Sequence, residues 1–267
     1  MNRCIFTVAG NTAMEVTRQT IFYLIACGGV LLIFLSFSFT LFAFGEEIRM
    51  IKEMGISTVT ICCLCLASLS AANTISKEIE KGTILTLLSK PVDKGSVLLG
   101  KFLGILVAVS LIFMFMGFFL TVSVCIKESL DYHIGLIAAF ERIGYSVVFQ
   151  LILAFLQVAI MSAIATAGSV YLPMISNLCC CIVIYLMGNL ISFFQGMLQI
   201  NGGDTPWYLT SFFVIFPNLE EFSPLAVGNG AVSLSLIHMG LLTLYAMLYI
   251  TFVIVLTLIL FDRKECG

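Results

Sequence analysis

Six apolar runs divide this chain, at residues 20–44, 56–75, 102–126, 143–167, 174–195 and 236–261. Each is long enough to cross the roughly 30 Å hydrocarbon core of a bilayer, which takes about 20 residues of helix. None alternates with the two-residue period of a barrel strand. Helices are then the only spanning solution, because every backbone polar group must be satisfied inside its own segment. Composition agrees. Of 267 residues, 60% are hydrophobic and only 10% charged, where a soluble domain is nearer a quarter charged. So little polar surface does not cover a water-soluble globule. The first run does not read as a cleavable signal. It follows a long segment, exceeds a usual h-region and lacks a small-x-small cleavage site. The expectation is one all-α integral membrane domain over residues 1–267 with six transmembrane helices.

Lysine and arginine set the expected orientation. With the N-terminus inside, the inner segments hold Arg3, Arg18, Lys77, Lys81, Lys90, Lys94, Lys101, Arg263 and Lys264, and the outer ones Arg49, Lys52, Lys127 and Arg142. The positive-inside rule therefore puts both termini in the cytoplasm. The segment 196–235 has no lysine or arginine and carries Asp204, Glu220 and Glu221, which suits the outer face. The net charge of −2 adds nothing about partners.

Three stretches lie outside the runs. Residues 1–19 mix Ile5, Phe6, Val8, Met14 and Val16 with Arg3, Asn11, Glu15 and Arg18. They read as a helix lying in the inner interface with its apolar side in lipid, or else as a frayed tail. Residues 76–101, SKEIEKGTILTLLSKPVDKGSVLLGK, carry five lysines together with Glu78, Glu80 and Asp93. Ile84, Leu87 and Leu88 recur at helical spacing and form an apolar stripe with a charged flank. Pro91 ends that helix, and Asp93 caps the next. A mere connector has no need of this length or amphipathic pattern, so the segment reads as a docking element. Residues 196–235 contain PWYLTSFFVIFPNLEEFSP. Its apolar part is too short to span at about 1.5 Å per residue. Trp207 and Tyr208 favour the headgroup level, and Pro206, Pro217 and Pro224 break the run. Short re-entrant or interfacial helices over the outer mouth are expected, with an ordinary loop as the alternative.

GSVLLGKF, residues 95–102, falls one residue short of a phosphate-binding Walker A loop. Such a loop needs a strand, an open glycine turn and a hydroxyl for magnesium. A proline turn precedes it here, Val97, Leu98 and Leu99 occupy the turn, and Phe102 stands where the hydroxyl should be. The match is fortuitous, and Lys101 reads as an inner-interface anchor with its stem along apolar surface. Cys62, Cys63 and Cys65, and Cys179 to Cys181, raise a soft-metal reading. Consecutive residues point around a helix, so they read instead as small hydrophobes. No outer-loop cysteine is present for a structural disulfide. Asp131, His133, Glu141, Arg142 and His238 form no acid–base or metal constellation by spacing. Gln150 and Gln157 share one face of the fourth run, where interhelical hydrogen bonding is the simplest role.

The second stretch carries a family resemblance. KEIEKGTILTLLSKPVDKGSVLLGKFLG resembles the cytoplasmic loop of ABC-2-type transporter permeases. The family pattern is an acidic pair, Lys/Arg-Gly-Thr, an aliphatic turn, Lys/Arg-Pro-Val and then Gly-Lys. Here it falls on Glu78 and Glu80, Lys81-Gly82-Thr83, Ile84 to Leu88, Lys90-Pro91-Val92 and Gly100-Lys101. FPNLEEF (216–222) is similar to an outer segment of some of these permeases. The resemblance extends to the loop and the span pattern, not to a substrate. It implies an exporter-type permease with an N-terminal interfacial helix, a cytoplasmic coupling helix and short outer re-entrant helices. It implies two partners besides the lipid bilayer: a separate ABC ATPase subunit and a second permease subunit, the same or related. ATP would be bound by the ATPase; no catalytic residue, cofactor, metal or nucleic acid is expected on this chain. The implied location is a bacterial or archaeal cytoplasmic membrane. The implied ATPase-coupling residues are Glu78, Glu80, Lys81, Gly82, Thr83, Ile84, Leu87, Leu88, Lys90 and Pro91, with Ile84, Leu87 and Leu88 burying against the ATPase and the charges forming a polar rim. A polytopic membrane enzyme and an ATPase-independent channel or anchor protein are the competing readings.

Overall fold

The computed structural model describes residues 2–39, 47–76, 94–133, 135–200, 216–222 and 236–265. Among them run seven helices and no strand: α1 (Asn2–Thr17), α2 (Thr20–Phe39), α3 (Glu47–Ser76), α4 (Lys94–Tyr132), α5 (Leu136–Gly168), α6 (Met174–Ile200) and α7 (Leu236–Glu265). Helices α3 to α7 are each long and apolar enough to cross a bilayer. Helices α1 and α2, bent by 63° at Arg18-Gln19, supply a sixth span when counted as one broken pair. From α2 onward the described helices run alternately up and down. The end of α3, the start of α4 and the end of α7 therefore share one end of the bundle, from which residues 77–93 depart. We call it the loop end and its opposite the far end.

Helix α3 is central and packs on α2, α4, α5 and α6, while α7 packs mainly on α5. Ile33 of α2, Ile56 and Leu66 of α3, Ile112 and Met116 of α4, and Leu153 and Ile160 of α5 form a continuous core. The most apolar stretches of α3 and α5 are 61% and 67% buried, those of α6 and α7 only 22%. The outer pair thus turns most of its apolar surface outward, including Val183, Leu186, Met247 and Phe252. In water such a surface would aggregate; in a bilayer it meets lipid or another chain.

Several helices outrun the apolar runs that announce them. Helix α3 begins at Glu47, not 56, and α4 continues to Tyr132, so Arg49, Lys52, Lys127 and Asp131 are helical rather than in loops. The charges of Arg49, Lys127 and Asp131 are met at the far end. Lys127 reaches Glu47 at 2.6 Å and Asp131 at 3.2 Å, and Arg49 meets Glu53 at 2.9 Å. Helix α4 then stops at a residue in left-handed conformation, His133, with φ 53°. That is a common way for a helix to end.

Helix α1 corrects one expectation. Ala9, Thr12 and Val16 are buried and Ile5 and Val8 half-buried, an i, i+3, i+4 stripe. That stripe does not lie in lipid; it packs on the start of α4. What α1 leaves outward is Phe6 and Met14 together with polar residues. The contact is possible because α4 presents Gly100 and Gly104, four residues apart. A Cβ at Gly100 would stand 2.8 Å from the Val8 Cβ, and one at Gly104 would stand 2.6 Å from both the Ala9 carbonyl oxygen and the Thr12 Cβ. Small residues at this spacing let two helix backbones approach.

Candidate functional site

The ten implied coupling residues, Glu78, Glu80, Lys81, Gly82, Thr83, Ile84, Leu87, Leu88, Lys90 and Pro91, lie outside the described residues. The frame from which they project is described. On one side, α3 widens into a π-helical turn over Ala72–Ser76. Such turns free backbone carbonyls from the regular ladder. On the other side, α4 brings Lys101 underneath. Its Nζ donates to the Thr74 carbonyl oxygen at 2.7 Å, and the residue is only 7% exposed. Lys101 is therefore not an anchor with its head in the lipid interface. It satisfies the C-terminal end of α3, where carbonyls lack intrahelical partners and the helix dipole favours a cation.

Two further contacts widen the frame. Asn73 donates from Nδ2 to Gln19 Oε1 at 3.4 Å, reaching the α1–α2 corner. The two glycines flanking Lys101 hold α1, as described above. Ile75, Leu98, Val170 and Leu258 then close the loop end with a small apolar cluster from α3, α4, the turn after α5, and α7. The roots of segment 77–93 are thus tied to each other and to α1.

The same geometry disposes of nucleotide binding at GSVLLGKF. Residues from Lys94 onward are helical, so no open turn is present to present N–H groups to phosphate. Phe102 packs against Ala163 and Val253. The isolated chain is expected to show no saturable ATP binding in equilibrium titration. Saturable binding that disappears in Lys101→Ala would contradict this assignment.

Within the bundle, polar side chains link α3, α5 and α6. Gln157 donates from Nε2 to Asn189 Oδ1 at 3.3 Å, and Asn189 donates to the Tyr185 carbonyl oxygen at 2.9 Å. The Tyr185 hydroxyl lies 3.3 Å from Thr60 Oγ1. Lower on α6, Asn177 donates to the Ser68 and Ala165 carbonyl oxygens at 3.1 and 3.2 Å. Gln157 thus makes the interhelical bond expected of it. Gln150, on the same face of α5, has a buried Oε1 without a hydrogen-bond partner. The cysteine clusters behave as helix geometry requires: Cys63 and Cys181 are buried, Cys179 and Cys180 exposed. Among the described residues, no three His, Cys, Asp or Glu side chains gather as metal ligands.

A family model described as ABC-2 family transporter protein matches residues 43–266. The chain belongs to the ABC-2 transporter family. No curated protein matches it. The match begins just before α3 and covers every helix from there, leaving α1 and α2 outside. This permease is an integral membrane subunit with several membrane spans and no catalysis of its own.

At the far end, the permease seats part of its 196–235 segment in the core. Glu220–Phe222 form a single 3-10 turn, with Leu219 and Phe222 fully buried. Leu219 N–H donates to the Gly188 carbonyl oxygen at 3.1 Å, and Asn218 N–H to the Tyr245 hydroxyl at 3.2 Å. FPNLEEF is thus a plug between α6 and α7 rather than a surface loop. The expected re-entrant helix around Trp207 and Tyr208 lies outside the described residues. Near this end is a group not singled out in the sequence, Glu128 on α4. It is 1% exposed, its Oε1 lies 3.6 Å from Arg142 Nε, and its Oε2 is buried without a partner. Its signal was only a lone acid beside Lys127 at the margin of an apolar run.

Proposed function

We propose that this permease couples through residues 77–93 to a separate ABC ATPase, which binds and hydrolyses ATP for both. Ile84, Leu87 and Leu88 enter an apolar groove on the ATPase, and Glu78, Glu80, Lys81 and Lys90 ring it. Gly82, Thr83 and Pro91 shape the turn into and out of the helix. A second permease subunit completes the pathway, and the two chains switch together between inward- and outward-facing states. ATP drives the switch because the two states differ in their free energy of nucleotide binding. The observation that carries this reading is the frame at the loop end. Lys101 bonded to Thr74, and α1 seated on Gly100 and Gly104, turn a charged amphipathic loop into a lever rooted in two spanning helices.

In this reading α2 spans with α3 to α7, giving six spans, and α1 lies along the cytoplasmic face. Both termini and residues 77–93 are cytoplasmic, and 196–235 faces outward. Cysteines introduced at Lys90 and Glu265 in a cysteine-free background are expected to react with an impermeant reagent only from the cytoplasmic side, and one at Asp204 only from outside. Matching sidedness for Lys90 and Asp204 overturns the arrangement. The test of function is isolation of the tagged permease from its native membrane. An ABC ATPase is expected to co-purify, with ATP turnover dependent on the permease; a membrane enzyme or ATPase-independent channel would bring none.

A further inference from the structure

We propose that the groove between α4 and α5 binds one phospholipid of the far leaflet, with an acyl chain in the groove and the phosphate on Arg142. The groove has a volume of about 740 Å³. On α4 it follows one face from Ser110 through Gly117 and Thr121 to Ile126, and on α5 it is walled by Phe140, Leu151 and Phe155. From 110 to 126 an α-helix rises about 24 Å. That exceeds the roughly 15 Å depth of one leaflet's hydrocarbon, so a full-length acyl chain fits along it. The wall is carbon over nearly its whole surface, so water gains nothing there and a hydrocarbon chain restores the missing contacts.

What separates this groove from ordinary lipid-facing surface is its far end. Tyr132 and Tyr145 are both more than half exposed there, as aromatic side chains at headgroup depth commonly are. Arg142 stands two residues after Phe140, a groove wall. Its guanidinium carbon lies 4.5 Å from the centre of the Tyr132 ring. Its Nε faces buried Glu128 at 3.6 Å, and its side chain is 57% exposed. Tyr132 and Glu128 follow Cys125 and Ile126 along α4, so the arginine sits over the groove's mouth. Held from below by ring and carboxylate, it still offers donors of its five N–H groups outward. That is the arrangement that grips a phosphate by paired bonds. Exposed Glu141 adjoins it, and Asp131 is one turn from Glu128. With Asp131 already met by Lys127, it is Glu141 beside the guanidinium that favours a headgroup carrying a cation as well as the phosphate. The occupant is therefore a zwitterionic phospholipid with a primary ammonium, such as phosphatidylethanolamine.

The test is native mass spectrometry of the full-length permease in non-ionic detergent, titrated with phosphatidylethanolamine, with diacylglycerol of the same chains, and with soluble phosphoethanolamine. Wild type is expected to hold one phosphatidylethanolamine per chain, and Arg142→Gln to weaken it about tenfold, the scale of a lost charge-assisted contact. Thr121→Phe, which fills the groove, is expected to abolish retention while leaving the thermal unfolding midpoint unchanged. If that variant unfolds early, Val148→Phe fills the same slot from α5 and is held to the same expectation. Diacylglycerol should bind at least tenfold more weakly than the phospholipid. Wild-type retention in folded Arg142→Gln and in a folded groove-filling variant overturns the proposal. So does diacylglycerol binding as tightly as phosphatidylethanolamine. Displacement of the lipid by millimolar phosphoethanolamine overturns it too, because the site would then recognise a soluble phosphate and not a chain.

Discussion

Gly104→Leu is expected to lift α1 off the bundle. The α1–α4 contact is set by backbone, not by adaptable side chains. A Cβ at position 104 would lie 2.6 Å from the Ala9 carbonyl oxygen and from the Thr12 Cβ, atoms that move only if the helix moves. Overpacking of this kind costs about 1–3 kcal/mol where neighbours can yield. Here they yield only by undocking, which also exposes the Ala9, Thr12 and Val16 stripe. A shift of that size in the docking equilibrium corresponds to roughly 5- to 150-fold in the undocked population. Trypsin reads it directly, because cleavage of a transiently open site tracks the open population. Arg18, exposed at the α1–α2 corner, is the site to follow. Cleavage there should accelerate by that factor in Gly104→Leu. Gly10→Leu is the control, since nothing lies within 4 Å of a Cβ at Gly10. Equal cleavage of the two variants would show that α1 is not held by this contact.

The apolar runs were legible because a hydrocarbon solvent demands long apolar helices and little else. Their ends were not. A hydropathy pattern stops at Lys52 or Lys127, while the folded chain continues because Lys127 finds Glu47 eighty residues away. Pairings between distant charges leave no trace in a local window. Helix α1 was legible as a periodic stripe but not as a docked one. Of its partner surface, Gly100 falls inside the phosphate-loop mimic at 95–102 and Gly104 just beyond it, and nothing local pairs the two. Lys101 misled for a related reason: a lysine just before a span usually does lie along lipid, and only the fold brings the open carbonyl of Thr74 beneath it. On α6 a usable signal was missed. Asn177, Cys181, Tyr185 and Asn189 recur every four residues, so they share one face, and that face meets α3 and α5 through Asn177, Tyr185 and Asn189. The proposed coupling residues stood out as composition, lysines and acids around an aliphatic stripe in a chain only 10% charged. In the proposed coupling, what they touch is a property of a second protein.

That second protein is the subject of the largest expected effect. Leu87 and Leu88 are apolar side chains in a segment otherwise rich in charge, placed where a solvated linker has no use for them. If they fill a groove on the ATPase, each contributes roughly 1.5–3 kcal/mol by leaving water. Changing both to Asp removes that burial and adds charges without partners at a dry contact, a further cost. At about 1.4 kcal/mol per tenfold, the affinity for the ATPase should fall a hundredfold or more. Neither residue belongs to the described frame. The Lys101–Thr74 bond and the α1–α4 contact should therefore survive, and tryptic cleavage at Arg18 should stay at the wild-type rate. The double variant is then expected at its normal level in the membrane, without co-purifying ATPase and without permease-dependent ATP turnover. Gly104→Leu should do the reverse in one respect, speeding cleavage at Arg18 while leaving the leucine stripe intact. Comparing the two separates loss of the docking surface from loss of the frame behind it. Wild-type yield of ATPase with the double variant would remove Leu87 and Leu88 as anchors. Disappearance of the double variant from the membrane would place them inside the permease, packed against its own helices.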